Sequence, residues 1–333
     1  MTQLDRSAFA TAFDALLPRL ALDPLFEDGD TERLAPWRLP SAAGFEELFA
    51  QARQQGAAPW HLYALARVAT QCIGTAAPTV RASGVASGES VFIPGDLKTS
   101  GNFAVEGTLV VGGDLVVPGL LSDRGPDSTL IVLGNLSVQA LRTHGEIRVG
   151  GHLDGGDVVV GHYNDNSLVV GGHLKTRMLI EDEHDIRAHA LEVEHHYPMD
   201  TFRQGTGKGV VASLKKVVTA GALGKEESVE VTLTDTANRN PEVVARIAAI
   251  TGFPAPYLDQ KPPPLWLEFP DKMRRTLGEM RDAPMNRAEA EAIEAAVAEA
   301  GGKVELKFKS QAIYSEDALF DAWSKGKLFK AQK

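Results

Sequence analysis

The chain has 333 residues, 44% of them hydrophobic, with a formal net charge of −10 and one cysteine, Cys72. That length and apolar content suffice for two or three folded domains, and a lone cysteine excludes an internal disulfide and any multi-cysteine zinc site. The opening MTQLDRSAFATAF lacks a signal-type apolar core and no long apolar run follows, so the protein is expected to be cytoplasmic and off the membrane.

Residues 1–82 read as a helical domain. Phe9, Phe13, Leu16 and Leu20 recur at helical spacing; Ser41 is placed to cap a second helix carrying Phe45, Leu48, Phe49 and Ala52, ended by Gly56; Pro59 opens a third through Leu62, Leu65, Ala66 and Ala69. Cys72 sits in apolar RVATQCIGTA, with no charge nearby to activate a thiolate, and reads as a packing residue.

From 88 to 200 a seven-residue phrase repeats: VFIPGDL at 91, LVVGGDL at 109, LIVLGNL at 130, IRVGGHL at 147 and LVVGGHL at 168. Its glycines, Gly95, Gly113, Gly134, Gly151 and Gly172, fall 18, 21, 17 and 21 residues apart, so one unit is stacked on itself. Apolar and small or polar positions alternate, as in Leu109, Val111, Leu115 and Val117, and alternation puts one set of side chains on one face of a strand. Each turn therefore reads as short strands separated by corners, where glycine is expected to supply positive φ. This is a β-solenoid with an aliphatic interior. Unequal spacings place insertions at SDRGPDST, 122–129, and HYNDN, 162–166, where a partner could be met.

Residues 205–333 read as an α/β domain. Val229, Val231 and Leu233 alternate, as do Val304, Leu306 and Phe308; helices are expected from Pro241 through Ile250, after Asn286 with Ile293 and Val297 and an end at Gly301-Gly302, and from Ser315 with Leu319, Phe320 and Trp323. The prolines of PAPYLDQKPPPLW at 254–266 exclude helix there. The fold class is thus multi-domain α+β: a central β-solenoid flanked by an N-terminal helical domain and a C-terminal α/β domain.

Charge is segregated along this plan. Residues 1–87 hold 7 basic and 9 acidic side chains, residues 88–200 hold 7 and 17, and residues 201–333 hold 20 and 18, giving −2, −10 and +2. An acidic solenoid repels nucleic acid and phospholipid and attracts basic proteins.

No catalytic signature is present. GTGKG at 205–209 fails as a phosphate loop, because Gly209 follows the lysine and Phe202 stands where the first glycine belongs. Eight of the nine histidines lie between His144 and His196, and His152 and His173 share one place in the repeat. Stacked imidazoles beside Glu183 or Asp185 would offer metal ligands; the reading adopted is that these are polar corner residues, like Asp114 and Asn135. Their protonation in mild acid would cancel much of the solenoid's charge. EDEHD at 181–185 gathers four acids in five residues, and carboxylates there, expected to be aimed outward, can meet an arginine or lysine cluster through charge-assisted hydrogen bonds.

The phrases GHYNDNSLVVGGHLKTRMLIEDEHDI at 161–186 and LVVGGDLVV at 109–117 resemble the β-solenoid of bacterial bactofilin-like, polymer-forming proteins. They resemble still more the solenoid-bearing proteins encoded beside polymorphic toxins, including immunity proteins against type VI secretion effectors. The resemblance covers residues 88–196, about a third of the chain. It implies a toxin inhibitor that binds and blocks a cognate toxin, a basic nuclease where the immunity protein is cytoplasmic, and carries over no functional residue. The alternative is a bactofilin-like scaffold, which needs open solenoid ends, whereas the helical and α/β domains are expected to lie as lids over the two tips; a hexapeptide-type transferase needs a stricter six-residue rhythm. The expectation is a monomeric, non-enzymatic protein without metal or cofactor, meeting a toxin but neither nucleic acid nor membrane. Its contacts are expected at Tyr163, Asp165, Glu181, Asp182, Glu183 and Asp185.

Overall fold

A computed structural model describes residues 3–20, 22–23, 25, 31–74, 76–123, 125, 127–163, 165–200, 208–233, 249, 287–299 and 304–331. The chain divides into two compact units, Met1–Gly207 and Lys208–Lys333.

The first unit is built on a parallel β-solenoid with three strands to the coil. Its first face comprises β2 (Ser90–Ile93), β5 (Thr108–Val111), β7 (Thr129–Val132), β9 (Glu146–Val149) and the beginnings of β12 (Ser167–Asp182) and β13 (Asp185–Tyr197). There Val91, Leu109, Leu130, Ile147, Leu168 and Ile186 stand in one column of six. The second face holds β1 (Thr79–Arg81), β3 (Leu97–Thr99), the first halves of β6 (Leu115–Asp123) and β8 (Leu136–Thr143), and β10 (Leu153–Asp154). It stacks Leu97, Leu115, Leu136, Leu153, Leu174 and Leu191. The third, with β4 (Phe103–Ala104) and β11 (Val158–His162), stacks Phe103, Leu121, Leu141, Val159 and Leu179. These columns form one apolar interior, and each fully buried Leu or Ile contributes roughly 1.5–3 kcal/mol.

Beside the inward residues on the first face are outward ones, and four of these are apolar too: Phe92, Val110, Ile131 and Val169, with Arg148 between the last two and Arg187 after them. Helices α1 (Arg6–Leu20), α2 (Phe45–Gln54) and α3 (Pro59–Ile73) bury that second surface. The Phe92 ring lies 5.4 Å from those of both Phe45 and Phe49. Strands β5 and β7 are consequently buried on both sides, which is why TLVV and TLIV read as continuous apolar runs. The helices therefore lie along a flank of the coils; the sequence reading had placed them as a lid over the first tip. Helix α3 is buried around most of its circumference because it is packed between α1 and strands β7 and β9. Ser41 does not cap α2. Gly44 occupies the cap, while the Ser41 hydroxyl donates to Gln51 Oε1 at 3.0 Å. Gly56 ends α2 as expected, at φ 74° with Ala57 N–H donating to the Ala52 carbonyl.

The repeat glycines serve a purpose other than the expected positive φ. Gly113, Gly134, Gly151 and Gly172 are absent from the glycines at positive φ, which are Gly56, Gly74, Gly88, Gly156 and Gly326 among the described residues. Each is followed by a corner residue whose backbone N–H donates to the side chain of its equivalent one coil earlier: Asp114 N to Asp96 Oδ1 at 2.9 Å, Asn135 N to Asp114 Oδ1 at 2.7 Å, His152 N to Asn135 Oδ1 at 2.9 Å and His173 N to His152 Nδ1 at 3.0 Å. A Cβ on the glycine would collide with that acceptor, at 2.2 Å for Gly134 against Asp114 Oδ1 and 2.5 Å for Gly172 against His152 Nδ1. The glycines make room for a side-chain ladder, and because His152 accepts through Nδ1, its ring proton sits on Nε2.

In the second unit, β14 (Gly224–Leu233) and β15 (Val304–Ile313) pair antiparallel, Gly224 against Ile313 through Leu233 against Val304. Helices α4 (Lys208–Val217), α5 (Arg287–Glu299) and α6 (Glu316–Ser324) accompany them. Ser315 caps α6 through its hydroxyl, which accepts from Ala318 N at 3.3 Å. Helix α4 was not foreseen, although Val210, Val211, Leu214 and Val218 are buried at helical spacing. The helix expected from Pro241 through Val244, Ile247 and Ile250, the proline-rich 254–266, Asn286, Gly301-Gly302 and most of GTGKG lie outside the described residues. Among the described residues no helix is long and apolar enough to cross a membrane.

Candidate functional site

Strands β11 and β12 run in parallel register from Val158 against Met178 to His162 against Asp182, so equivalent residues of successive coils stand one above the other. Both strands then turn sharply. Tyr163 has φ 96° and Glu183 φ 60°, and they are the two non-glycine residues at positive φ among the described residues. Side chains are held in that region only by their surroundings.

His184 provides much of that restraint. Its side chain is fully buried, and Nδ1 lies 2.9 Å from the Tyr163 carbonyl oxygen. A carbonyl can only accept, so Nδ1 carries the proton and Nε2 is left as a buried acceptor without a hydrogen-bond partner among the described residues. The ring packs on Gly161, where a Cβ would come within 2.6 Å of His184 Cδ2. Burial pushes the His184 pKa down, while the bond to Tyr163 and the charge of Asp185 act against that shift. The imidazole is thus a neutral peg joining two corner loops. His162 forms a backbone bridge with Glu183, and the rings of His144 and His162 meet edge to face with centroids 5.1 Å apart. Asn166 Nδ2 donates to the His144 carbonyl at 2.9 Å, tying in the previous coil.

The six residues singled out from sequence cluster around this corner but differ in what they present. Asp165 and Glu183 are exposed, and Tyr163 is 37% exposed. Glu181 and Asp182 are turned towards histidines instead of outward: Glu181 Oε1 is 2.6 Å from His196 Nε2 and Asp182 Oδ2 is 2.8 Å from His162 Nδ1. Their side chains are only 12% and 17% exposed. Asp185 meets Arg187 Nε at 2.9 Å with both side chains half exposed. The expectation of four carboxylates all aimed outward is therefore corrected, because the register places cationic or titratable partners beside three of them.

Below the corner lies a group that the sequence reading missed. Asp123, Thr143, Gly161 and Glu181 occupy one column on successive coils, and Asp123 is fully buried at its base. Its carboxylate accepts from the Ser128 hydroxyl, from Thr143 Oγ1 at 3.2 Å and from Gly145 N at 3.2 Å. Burial dominates these bonds and pushes the Asp123 pKa up to about 6. A signal was present: in β6 the inward alternation through Leu121 reaches Asp123 two residues later.

The histidines of the repeat do stack, His152 and His173 edge to face with centroids 5.3 Å apart. Glu183 and Asp185 are not with them, since Asp185 pairs with Ser167 while His173 pairs with Ala190. His173 Nδ1 instead meets Glu192 Oε1 at 2.8 Å, and that bond holds the Glu192 carboxyl below its usual range. Among the described residues no group of three or more His, Cys, Asp or Glu side chains is arranged to hold a metal ion.

Comparison with family models, with curated proteins and with solved structures found no match to this chain.

Proposed function

We propose that the protein is a binding protein of the immunity type, which neutralises a secreted toxin by direct contact through the corner of its acidic solenoid. The observation that carries this reading is the coincidence of Tyr163 and Glu183, both at positive φ, in one exposed corner of a segment with 7 basic and 17 acidic side chains. Backbone strain held in place by a buried peg presents an aromatic ring with carboxylates in a fixed geometry. Such a surface suits a basic partner, and charge steering raises both association rate and selectivity. A nuclease-type effector is the partner class with that charge. In this reading the helices buttress the coils, the C-terminal α/β part has a separate task, and the protein works in the cytoplasm as a monomer without enzymatic activity, metal or cofactor.

The test is capture of a partner from the native cell, followed by titration of that partner with Asp165→Lys and Glu183→Lys variants. Each reversal should weaken the complex at least about ten-fold and flatten its salt dependence. Affinity unchanged in both would move the contact away from this corner.

A bactofilin-like scaffold is the second reading, and one observation favours it. The 13-residue β13 pairs with β12 on one side and has no strand partner on the other among the described residues. Its inward Leu191 is 43% exposed. Filaments in electron micrographs of the purified protein would favour this reading over the first.

A further inference from the structure

We propose that the second unit binds the phosphodiester backbone of a nucleic acid through a lysine patch formed where the end of α4 meets the chain after α6. Residues 208–219 and 325–331 together hold six lysines and no acidic residue. The fold brings the two segments side by side. Gly326 at φ 65° ends α6, with its N–H donating to the Trp323 carbonyl and Lys327 N–H to the Ala322 carbonyl, both at 2.8 Å, and this reverses the chain. The returning segment pairs with the end of α4: Val218 bridges Phe329, Thr219 N donates to the Leu328 carbonyl and Lys330 N to the Val217 carbonyl, each at 2.9 Å.

Val218 and Leu328 point inward at this junction, which leaves the lysines outside. Lys330 turns its ammonium onto the Lys215 carbonyl at the negative end of α4, and Lys325 pairs with Asp321 at 2.7 Å. Lys215, Lys216 and Lys327 are exposed and make no ion pair among the described residues. Half-buried Trp323 and Phe329 flank them, giving the lysine and aromatic mixture that suits a phosphate chain with bases to stack. A membrane surface fits less well, because none of the exposed large hydrophobic side chains lies in these two segments to enter a bilayer. The expectation that the chain meets no nucleic acid rests on the acidic coils; residues 201–333 carry 20 basic and 18 acidic side chains and present a different field.

The experiment is fluorescence anisotropy of the full chain with a labelled oligonucleotide of about 20 nucleotides, single- and double-stranded in separate arms, between about 50 and 300 mM salt. Three phosphate contacts predict a slope of log affinity against log salt near about −2 on a single strand. The Lys215→Gln/Lys216→Gln/Lys327→Gln variant should lose about ten-fold or more in affinity at the lowest salt and most of that slope. Lys98→Gln/Lys175→Gln, on the solenoid, should change neither. Tighter binding of the single strand would support base stacking beside the backbone contact, and equal binding would support backbone contact alone. No binding at the lowest salt, a triple variant that binds like the wild type, or binding confined to phosphatidylserine vesicles would overturn the proposal.

Discussion

His184 donates its Nδ1 proton to the Tyr163 carbonyl across 2.9 Å, so a buried neutral imidazole sets the path of an exposed loop one coil away. The ring has no room for error on its other side, where it rests on Gly161.

That peg predicts acid sensitivity. Because the folded-state pKa of His184 is depressed, the unfolded chain takes up the proton first as pH falls below about 6.5, and the contribution of His184 to stability is lost through that range. Thermal unfolding followed by circular dichroism between pH 7.5 and 5 should show a decline that is shallower in His184→Leu. An identical decline in the variant would place the acid sensitivity elsewhere.

Asp123 works in the opposite direction. Its pKa is raised from 3.8 to about 6, so the charged form is penalised in the fold and stability falls as pH rises from about 4 through 6. At neutral pH the penalty is on the order of 3 kcal/mol, and Asp123→Asn should recover part of it, since the Ser128 and Thr143 hydroxyls can turn to accept from the amide. Urea unfolding at pH 7.5 and pH 4 is the measurement. A gain at the higher pH that disappears at the lower is expected, and a loss at pH 7.5 would mean that the existing bonds outweigh desolvation.

The glycine ladder makes a sharper steric prediction. Gly134→Ala puts a methyl group 2.2 Å from Asp114 Oδ1 and 2.8 Å from the Gly113 carbonyl carbon, and should cost about 2–3 kcal/mol. Asp114→Ser should relieve only part of this, because the backbone clash persists. Gly101→Ala meets nothing within 4 Å and should be close to neutral. Denaturation midpoints of the three proteins test the order.

Arg148 pairs with Glu146 at 3.1 Å with side chains only 3% and 8% exposed, and Glu146 also accepts from Ser167 N at 2.9 Å and Oγ at 2.8 Å. Arg148→Met takes the guanidinium away from a buried carboxylate and should cost about 3–5 kcal/mol. Adding Glu146→Gln removes the charge and should restore most of the loss in the same unfolding assay. A double variant no better than the single would assign the cost to packing under the helices.

The interior of the solenoid was legible from sequence because strand alternation and repeat spacing are local properties. Leu109, Leu130, Ile147 and Leu168 fall in one column as the shared phrase requires, and the caps at Gly56 and Ser315 stand where turn chemistry placed them. Helix α4 was equally local, since Val210, Val211, Leu214 and Val218 recur at helical spacing directly after GTGKG. The apolar outward column of Phe92, Val110, Ile131 and Val169 was visible too, as unbroken TLVV and TLIV runs, though not what covers it.

The sequence by itself determined a stack of aliphatic coils, its acidic exterior and the position of its corners, since each follows from residues a few places apart. Only the tertiary structure decided that the helices lie along a flank, that the repeat glycines yield to a ladder of side chains and that Glu181 and Asp182 face His196 and His162. Those outcomes depend on which residues meet across one coil or more. Register between coils sets them, and a corner that gains or loses one residue shifts every later contact while leaving the local pattern unchanged.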